Sequence, residues 1–119
     1  IVDDDQFLLD MYMMKFNEQG WNVIPASGGE AALEALRVGG GTFRALLLDL
    51  VMPGMDGFEL LRRIREEELA PSCRLIVLSN LGEPSDVEKA KQYNIDGYII
   101  KASSTPSEVV DKVREIMSR

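Results

Sequence analysis

ALLLDLVMPGMDG, residues 45–57, is the stretch of this chain that decides its fold. Four apolar residues run directly into Asp49, and a proline and two glycines then interrupt regular structure. A short apolar run bounded by turn residues is typical of a strand that is buried on both faces. This strand delivers Asp49 to its carboxyl end, where a carboxylate needs a partner to offset the cost of burial.

The composition indicates one acidic globular domain. The chain has 119 residues, of which 45% are hydrophobic, and this suits a single domain over residues 1–119. The formal net charge of −7 argues against direct binding to nucleic acid or to an anionic membrane surface. A single cysteine, Cys73, cannot form an internal disulfide, which favours a cytoplasmic setting. With no histidine, the chain has no histidine base, ligand or phosphohistidine of its own.

Strand and helix patterns alternate along the chain. Strands are predicted at residues 1–2, 21–26, 45–48, 74–79 and 97–100, and we expect the first of them to begin upstream. Helices are predicted at residues 6–19, 27–38, 56–68 and 85–93, and from residue 105 onward. This alternation predicts a mostly parallel sheet with helices on both faces. The expected fold is α/β, a flavodoxin-like (βα)5 doubly wound parallel sheet with strand order 2-1-3-4-5.

Four of the predicted helices begin with a capping pattern. The capping pairs share the N-cap to N3 spacing and are Ser27 with Glu30, Asp56 with Glu59, Ser85 with Glu88, and Thr105 with Glu108. The fourth helix is only thinly apolar, so we expect it to be the least firmly packed.

Polar side chains follow four of the five predicted strands. These residues are Asp3 and Asp4, Asp49, Ser79 and Lys101. Parallel strands end at the same edge of a sheet, and the assumed order makes the first and third strands neighbours at the switch point. The five side chains are therefore expected to converge.

The converging side chains favour phosphoryl chemistry. Three carboxylates repel one another unless some are protonated or a cation lies among them, and oxygen ligands without histidine or thiolate favour Mg²⁺ (or Mn²⁺). The metal and Lys101 would neutralise phosphoryl oxygens, and Ser79 would donate a hydrogen bond to them. Asp49 is the natural nucleophile, because it is the single acid that ends the central strand.

With these motifs the chain resembles the receiver domain of two-component response regulators over essentially its whole length. The matching stretches are VDD at residues 2–4, Asp49 with MPGMDG at 52–57, LS at 78–79 and GYIIK at 97–101. The resemblance implies a bacterial-type signalling domain that catalyses only its own phosphorylation and dephosphorylation. Asp49 would be the phosphoacceptor, and a phosphohistidine on a histidine kinase or phosphotransfer protein would be the donor.

The resemblance also implies a metal site. Asp3, Asp4 and Asp49 would hold Mg²⁺ together with the backbone carbonyl of Val51. Asp4 would be the closer ligand, whereas Asp3 would act mostly through a bound water.

A switch is implied as well. Ser79 and Lys101 would bind the phosphoryl oxygens, Ser79 would move toward them, and Tyr98 would turn inward. The fourth helix, fifth strand and fifth helix would then present a changed surface to a downstream effector domain or protein. A homodimer through the same surface stays open.

Several positions depart from the family pattern. The family's lysine is usually followed by proline, often through a cis peptide, whereas Lys101 is followed by Ala102. Asn80 replaces the usual alanine and is expected to shield the phosphate. Val51 and Leu81 occupy two positions that tune phosphate loss in the family, and neither can orient a water by hydrogen bonding. We therefore expect slow self-dephosphorylation.

Two other functions stay open at this point. The first is a degenerate receiver that acts as a protein-interaction module without phosphorylation. The second is an aspartate-nucleophile phosphatase. That class typically carries a second aspartate two residues after the nucleophile, and Val51 at this position argues strongly against it.

Overall fold

The structure, a computed structural model, describes residues 1–119 as a parallel sheet with five helices. The helices are α1 (Gln6–Glu18), α2 (Gly29–Gly39), α3 (Gly57–Glu66), α4 (Pro84–Lys91) and α5 (Pro106–Met117). The strands are β1 (Ala45–Leu48), β2 (Arg74–Ser79) and β3 (Gly97–Ile100), which are the third, fourth and fifth strands predicted from the sequence. Short 3-10 turns follow α2 at Gly40–Thr42 and β3 at Lys101–Ser103.

The order of the sheet agrees with the prediction. β1 pairs in parallel with β2, and β2 pairs in parallel with β3. Val2 forms parallel bridges to Ala26 on one side and to Leu48 on the other. The order across the sheet is therefore Ala26, Val2, β1, β2, β3, which is the flavodoxin-like order 2-1-3-4-5.

The predicted second strand, residues 21–26, was too long. Only Ala26 takes part in a strand-type bridge, and residues 21–25 have no regular structure. Hydrogen bonds join Ile24 and Ala26 to residues 1–3, whereas the Trp21 N–H bonds to the Phe16 carbonyl oxygen of α1. Backbone polar groups alternate sides along a strand, so Pro25, between Ile24 and Ala26, faces the outer edge, where its missing N–H offers nothing to a further strand.

Apolar side chains pack on both faces of the sheet. On one face, Leu46 and Leu48 of β1 pack with α2, α3 and α4. On the other face, Leu47 packs with α1 and α5. The alternation follows from the two-residue period of a strand, and it leaves β1 buried on both sides as its continuous apolar sequence predicts.

Two of the predicted helix caps form. The Asp56 carboxylate accepts a hydrogen bond from the Glu59 N–H at 2.9 Å and caps α3. Thr105 and Glu108 make the reciprocal capping box at the start of α5, with Pro106 in the first turn. Asp56 therefore caps α3.

The other two predicted caps were wrong. α2 begins after Gly28, and the Ser27 side chain makes no cap hydrogen bond. α4 begins at Pro84 with Glu83 at the N-cap, so Ser85 lies inside the helix. Proline suits the first helical position, because its φ is already helical and its missing N–H would have no partner there. α4 buries only Ala90, which agrees with its thin apolar pattern.

Gly57 brings the start of α3 against the backbone that carries Asp49. The Gly57 N–H donates a hydrogen bond to the Leu50 carbonyl oxygen at 3.0 Å. A Cβ at residue 57 would lie 2.6 Å from the Leu50 Cα and would also collide with the Asp49 carbonyl oxygen. Only glycine allows this close approach, so Gly57 helps to fix the position of the acid.

We expect Gly57→Ala to lower the free energy of unfolding by about 2 kcal/mol or more, because the added methyl group displaces the backbone at Asp49. Urea unfolding followed by circular dichroism measures this change. Gly41→Ala is the matched control, because a Cβ there meets no atom within 4 Å. Equal losses in the two variants would show that the close approach at Gly57 has no energetic weight.

Candidate functional site

Three aspartates meet at the carboxyl edge of the sheet. Asp3 follows the Val2 bridge, Asp49 follows β1, and Asp4 lies beside Asp3. Each offers one carboxylate oxygen, and these three oxygens lie within 4.8 Å of one another. Asp3 and Asp49 are buried, with exposed fractions of 2% and 8%, whereas Asp4 is exposed. The predicted convergence of these three acids is therefore present.

Lys101 links the two buried acids. Its ammonium Nζ lies 2.6 Å from Asp3 Oδ2 and 2.9 Å from Asp49 Oδ2, and only 8% of its side chain is exposed. Burial lowers the pKa of Lys101, but the hydrogen bonds to Asp3 and Asp49 and the charges of both acids raise it above its ordinary value. Lys101 therefore remains an ammonium at neutral pH.

The remaining oxygens of the two buried acids accept backbone hydrogen bonds. Asp3 Oδ1 accepts from the Asp5 N–H at 2.9 Å, and Asp49 Oδ1 accepts from the Val51 N–H at 3.2 Å. Each bond closes a turn two residues long, so the chain itself orients the carboxylate. Asp5 has a different role, because its side chain caps α1 by accepting from the Leu8 N–H.

Ser79 lies at the end of β2 and is fully buried. Its hydroxyl oxygen accepts a hydrogen bond from the Leu81 N–H at 3.3 Å. It makes no direct hydrogen bond to Lys101 or to the aspartates. The fold thus places Ser79 on the same edge of the sheet, with its hydroxyl engaged by the loop that leads to α4.

Tyr98, on β3, is joined to the same loop. Its side chain is half-buried, and its hydroxyl donates a hydrogen bond to the Leu81 carbonyl oxygen at 2.6 Å. Burial raises the pKa of the Tyr98 hydroxyl, and the charges of Asp86 and Asp49 raise it further. Leu81 therefore contacts both residues that the sequence assigns to the switch.

One contact at this edge was missed by sequence reasoning. The Ala102 N–H donates a hydrogen bond to Asn80 Oδ1 at 2.8 Å, which joins the loop after β2 to the turn after β3. The Lys101–Ala102 peptide is trans, since the chain contains no cis peptide bond. The only signal for this contact was that Asn80 and Ala102 each follow a predicted site residue.

The donor set suits a hard divalent cation. Asp3, Asp4 and Asp49 supply carboxylate oxygens at this edge of the sheet. Mg²⁺ prefers such oxygen ligands and retains several waters. Lys101 engages one oxygen of each buried acid, so the residues present can bind a metal while the lysine remains nearby.

An apolar cavity lies away from these residues. It has a volume of about 670 Å³ and is lined mainly by apolar side chains near the start of β1, including Trp21 and Phe43. None of the predicted site residues lines it.

None of the helices combines the length and the apolar character that a bilayer crossing requires.

The fold and the acidic edge define a signalling domain of the two-component class. Residues 1–114 match the family model of the response regulator receiver domain, and the chain belongs to this family.

Full-length relatives are transcriptional regulators. The chain is 32% identical over 120 residues to the transcriptional regulatory protein ResD of Bacillus subtilis. It is 30% identical over 119 residues to the transcriptional regulatory protein SrrA of Staphylococcus aureus. Both alignments cover 100% of this chain and 47% of the relative, so the chain spans about half the length of these proteins.

Solved receiver domains share the fold. A CheY-like receiver domain protein from Methanospirillum hungatei superposes with a TM-score of 0.86 over 98% of this chain and 90% of its own, at 24% identity. The BeF3-activated DrrB receiver domain superposes with a TM-score of 0.82 over 99% of this chain and 94% of its own, at 27% identity.

We expect Lys101→Met to lower the free energy of unfolding by about 3 kcal/mol in metal-free buffer at neutral pH, because two buried carboxylates lose their counter-charge. Urea unfolding of the two proteins measures this. Lys91→Met is the control, since Lys91 is exposed at the end of α4 and its loss should cost less than ~0.5 kcal/mol. A Lys101 variant as stable as the control would contradict the importance of this ion pair.

Proposed function

We propose that this receiver domain is a switch controlled by phosphorylation of Asp49. The observation that supports the proposal most strongly is the Lys101 ammonium bound to both Asp3 and Asp49 at the carboxyl edge of the sheet. A lysine and a set of acids in this arrangement can hold a phosphoryl group, because the lysine and a metal bound by the acids would together neutralise its negative charge. The donor is a phosphohistidine on a partner histidine kinase or phosphotransfer protein.

Phosphoryl transfer requires little covalent chemistry from the protein. A carboxylate oxygen of Asp49 forms the new bond to phosphorus, the bond from phosphorus to the donor imidazole breaks, and the imidazole nitrogen keeps the electron pair. Lys101 pairs with a phosphoryl oxygen in place of the Asp49 carboxylate, and the Ser79 hydroxyl donates a hydrogen bond to another phosphoryl oxygen. Transfer then depends on positioning and on electrostatic stabilisation.

Mg²⁺ is the proposed metal, with Mn²⁺ as a substitute. Asp3, Asp4, Asp49 and the Val51 carbonyl would hold it. When bound, the metal neutralises the acids and the phosphoryl oxygens.

The proposed response uses the loop between β2 and α4. Movement of Ser79 toward a phosphoryl oxygen would stretch its hydrogen bond from the Leu81 N–H, and the Leu81 carbonyl is the acceptor for Tyr98. Movement of Leu81 would therefore free the Tyr98 hydroxyl to turn inward. The surface of α4, β3 and α5 would change, and α4, which buries only Ala90, would move at little cost.

The proposed partners follow from this role. Relatives of about twice the length are transcriptional regulators, so we include a downstream effector domain or protein among the partners. The net charge of −7 argues against direct nucleic-acid binding by this domain, so any such contact is assigned to the effector. We further propose a cytoplasmic location, and a homodimer through the α4–β3–α5 surface stays open.

Incubation with acetyl phosphate and Mg²⁺ is expected to add one phosphoryl group to the wild type, detected by intact mass. Asp49→Asn and a metal-free sample should gain no mass, because they lack the nucleophile or the proposed metal. If acetyl phosphate fails, a phosphohistidine donor is the second reagent. No added mass with either donor would sink the proposal and favour an interaction module that works without phosphorylation.

The phosphorylated domain is expected to lose its phosphate slowly. Val51 is 57% exposed and apolar, and Leu81 is also apolar, so neither can orient an attacking water. Val51→Asn should speed the loss by about tenfold, because its amide can hold a water near the phosphorus. The decay of the phosphorylated mass peak measures both rates.

Val38→Asn is the control for the added amide, since Val38 is 81% exposed and lies on α2. It should leave the decay unchanged. A wild-type phosphate that disappears within seconds would contradict the prediction of slow loss.

A further inference from the structure

We infer that Asn80 is a positioning residue for Lys101 and that it acts through the main chain of the turn that carries the lysine. Asn80 directly follows Ser79 at the end of β2, and Ala102 directly follows Lys101 in the turn Lys101–Ser103. The inference deepens the proposed function, on which its purpose rests, because the lysine is the side chain expected to meet the phosphoryl group.

The hydrogen bond determines which atom each of the two residues contributes. A backbone N–H can only donate, so the Ala102 N–H at 2.8 Å requires the amide oxygen of Asn80 to face it. This N–H belongs to the peptide plane that joins Lys101 to Ala102. Holding that plane restricts the backbone from which the lysine side chain starts.

The restriction matters because Lys101 is long and flexible. Its Nζ must reach Asp3 and Asp49 at 2.6 and 2.9 Å at the same time. Pairing between β2 and β3 ends at Ser79 and Ile100. The hydrogen bond from Asn80 therefore extends the link between the two strand ends by one residue beyond the sheet.

The contact also depends on both residue types. Proline at 102 would have no N–H to donate, and alanine at 80 would have no oxygen to accept. Asn80 and Ala102 both depart from the receiver pattern described above, and the structure shows that they are bonded to each other. We therefore interpret the two departures together, as one hydrogen bond that holds the turn Lys101–Ser103 in place.

A purely steric role for Asn80 predicts the opposite result. If the side chain only shields the phosphoryl site, removing its volume should speed phosphorylation by a small donor. If its oxygen positions Lys101, removing the oxygen should slow the reaction whether or not the volume is kept. The sign of the change therefore separates the two roles.

The test compares Asn80→Leu, which keeps the volume and removes the acceptor, with Asn80→Ala, which removes both. Both variants are expected to take a phosphoryl group from acetyl phosphate and Mg²⁺ about three- to tenfold more slowly than the wild type. Asn17→Leu is the matched control, because Asn17 is exposed on α1. It should react at the wild-type rate, and a melting curve shows that each variant is folded.

A spectroscopic readout tests the contact without phosphate. The Ala102 amide proton should exchange with solvent faster in both Asn80 variants than in the wild type, and the ¹⁵N NMR signal of the Lys101 ammonium should shift. Asn80→Asp keeps an oxygen acceptor, so the Ala102 amide should stay protected in that variant.

Three results would overturn the inference: a wild-type rate for Asn80→Leu, a faster rate for Asn80→Ala, or unchanged Ala102 exchange in both variants. A wild type that takes no phosphoryl group from any donor would count against the proposed function instead. The NMR measurements would then still decide whether Asn80 positions Lys101.

Discussion

The Lys101 ammonium holds together two buried carboxylates that would otherwise repel each other. Asp3 follows the Val2 bridge, Asp49 follows β1, and Lys101 follows β3, so this pair of contacts joins three places along one edge of the sheet. Burying three charges is costly unless each is paired and hydrogen-bonded. The arrangement of the whole edge therefore depends on charge, and any group that alters the charge there alters the balance of forces on several loops.

The sheet and the position of Asp49 could be predicted because they depend on local sequence. The apolar run before Asp49 allows few structures other than a buried strand, and the alternation of strands and helices restricts the order of the sheet. Residues 21–26 were harder to predict, because strand formation requires a paired neighbour and not only a suitable composition. The predicted caps at Ser27 and Ser85 were wrong for a local reason. α2 begins after Gly28 and α4 begins at Pro84, so a neighbouring glycine or proline sets the start of each helix.

The contacts within the site could be predicted only as proximity. Lys101 is 98 residues from Asp3 and 52 from Asp49 along the chain, and the sequence does not state which acid an ammonium will bind. The structure shows that it binds both. The bond between Asn80 and Ala102 spans 22 residues and joins two loops, so no periodicity or spacing indicates it. Such contacts depend on how far each loop extends beyond its strand, which is a property of the folded backbone.

α4 is attached to the domain by little buried surface, with Ala90 as its one buried residue. A protein that covers this helix would add the apolar burial that the isolated domain does not provide. In the proposed switch, a partner that prefers one arrangement of α4 would stabilise the matching state of Asp49, because coupling between two binding events is reciprocal. In the proposed switch, the effector is therefore not only a reader of the phosphoryl group. By binding α4 it would also raise the fraction of domains that keep it.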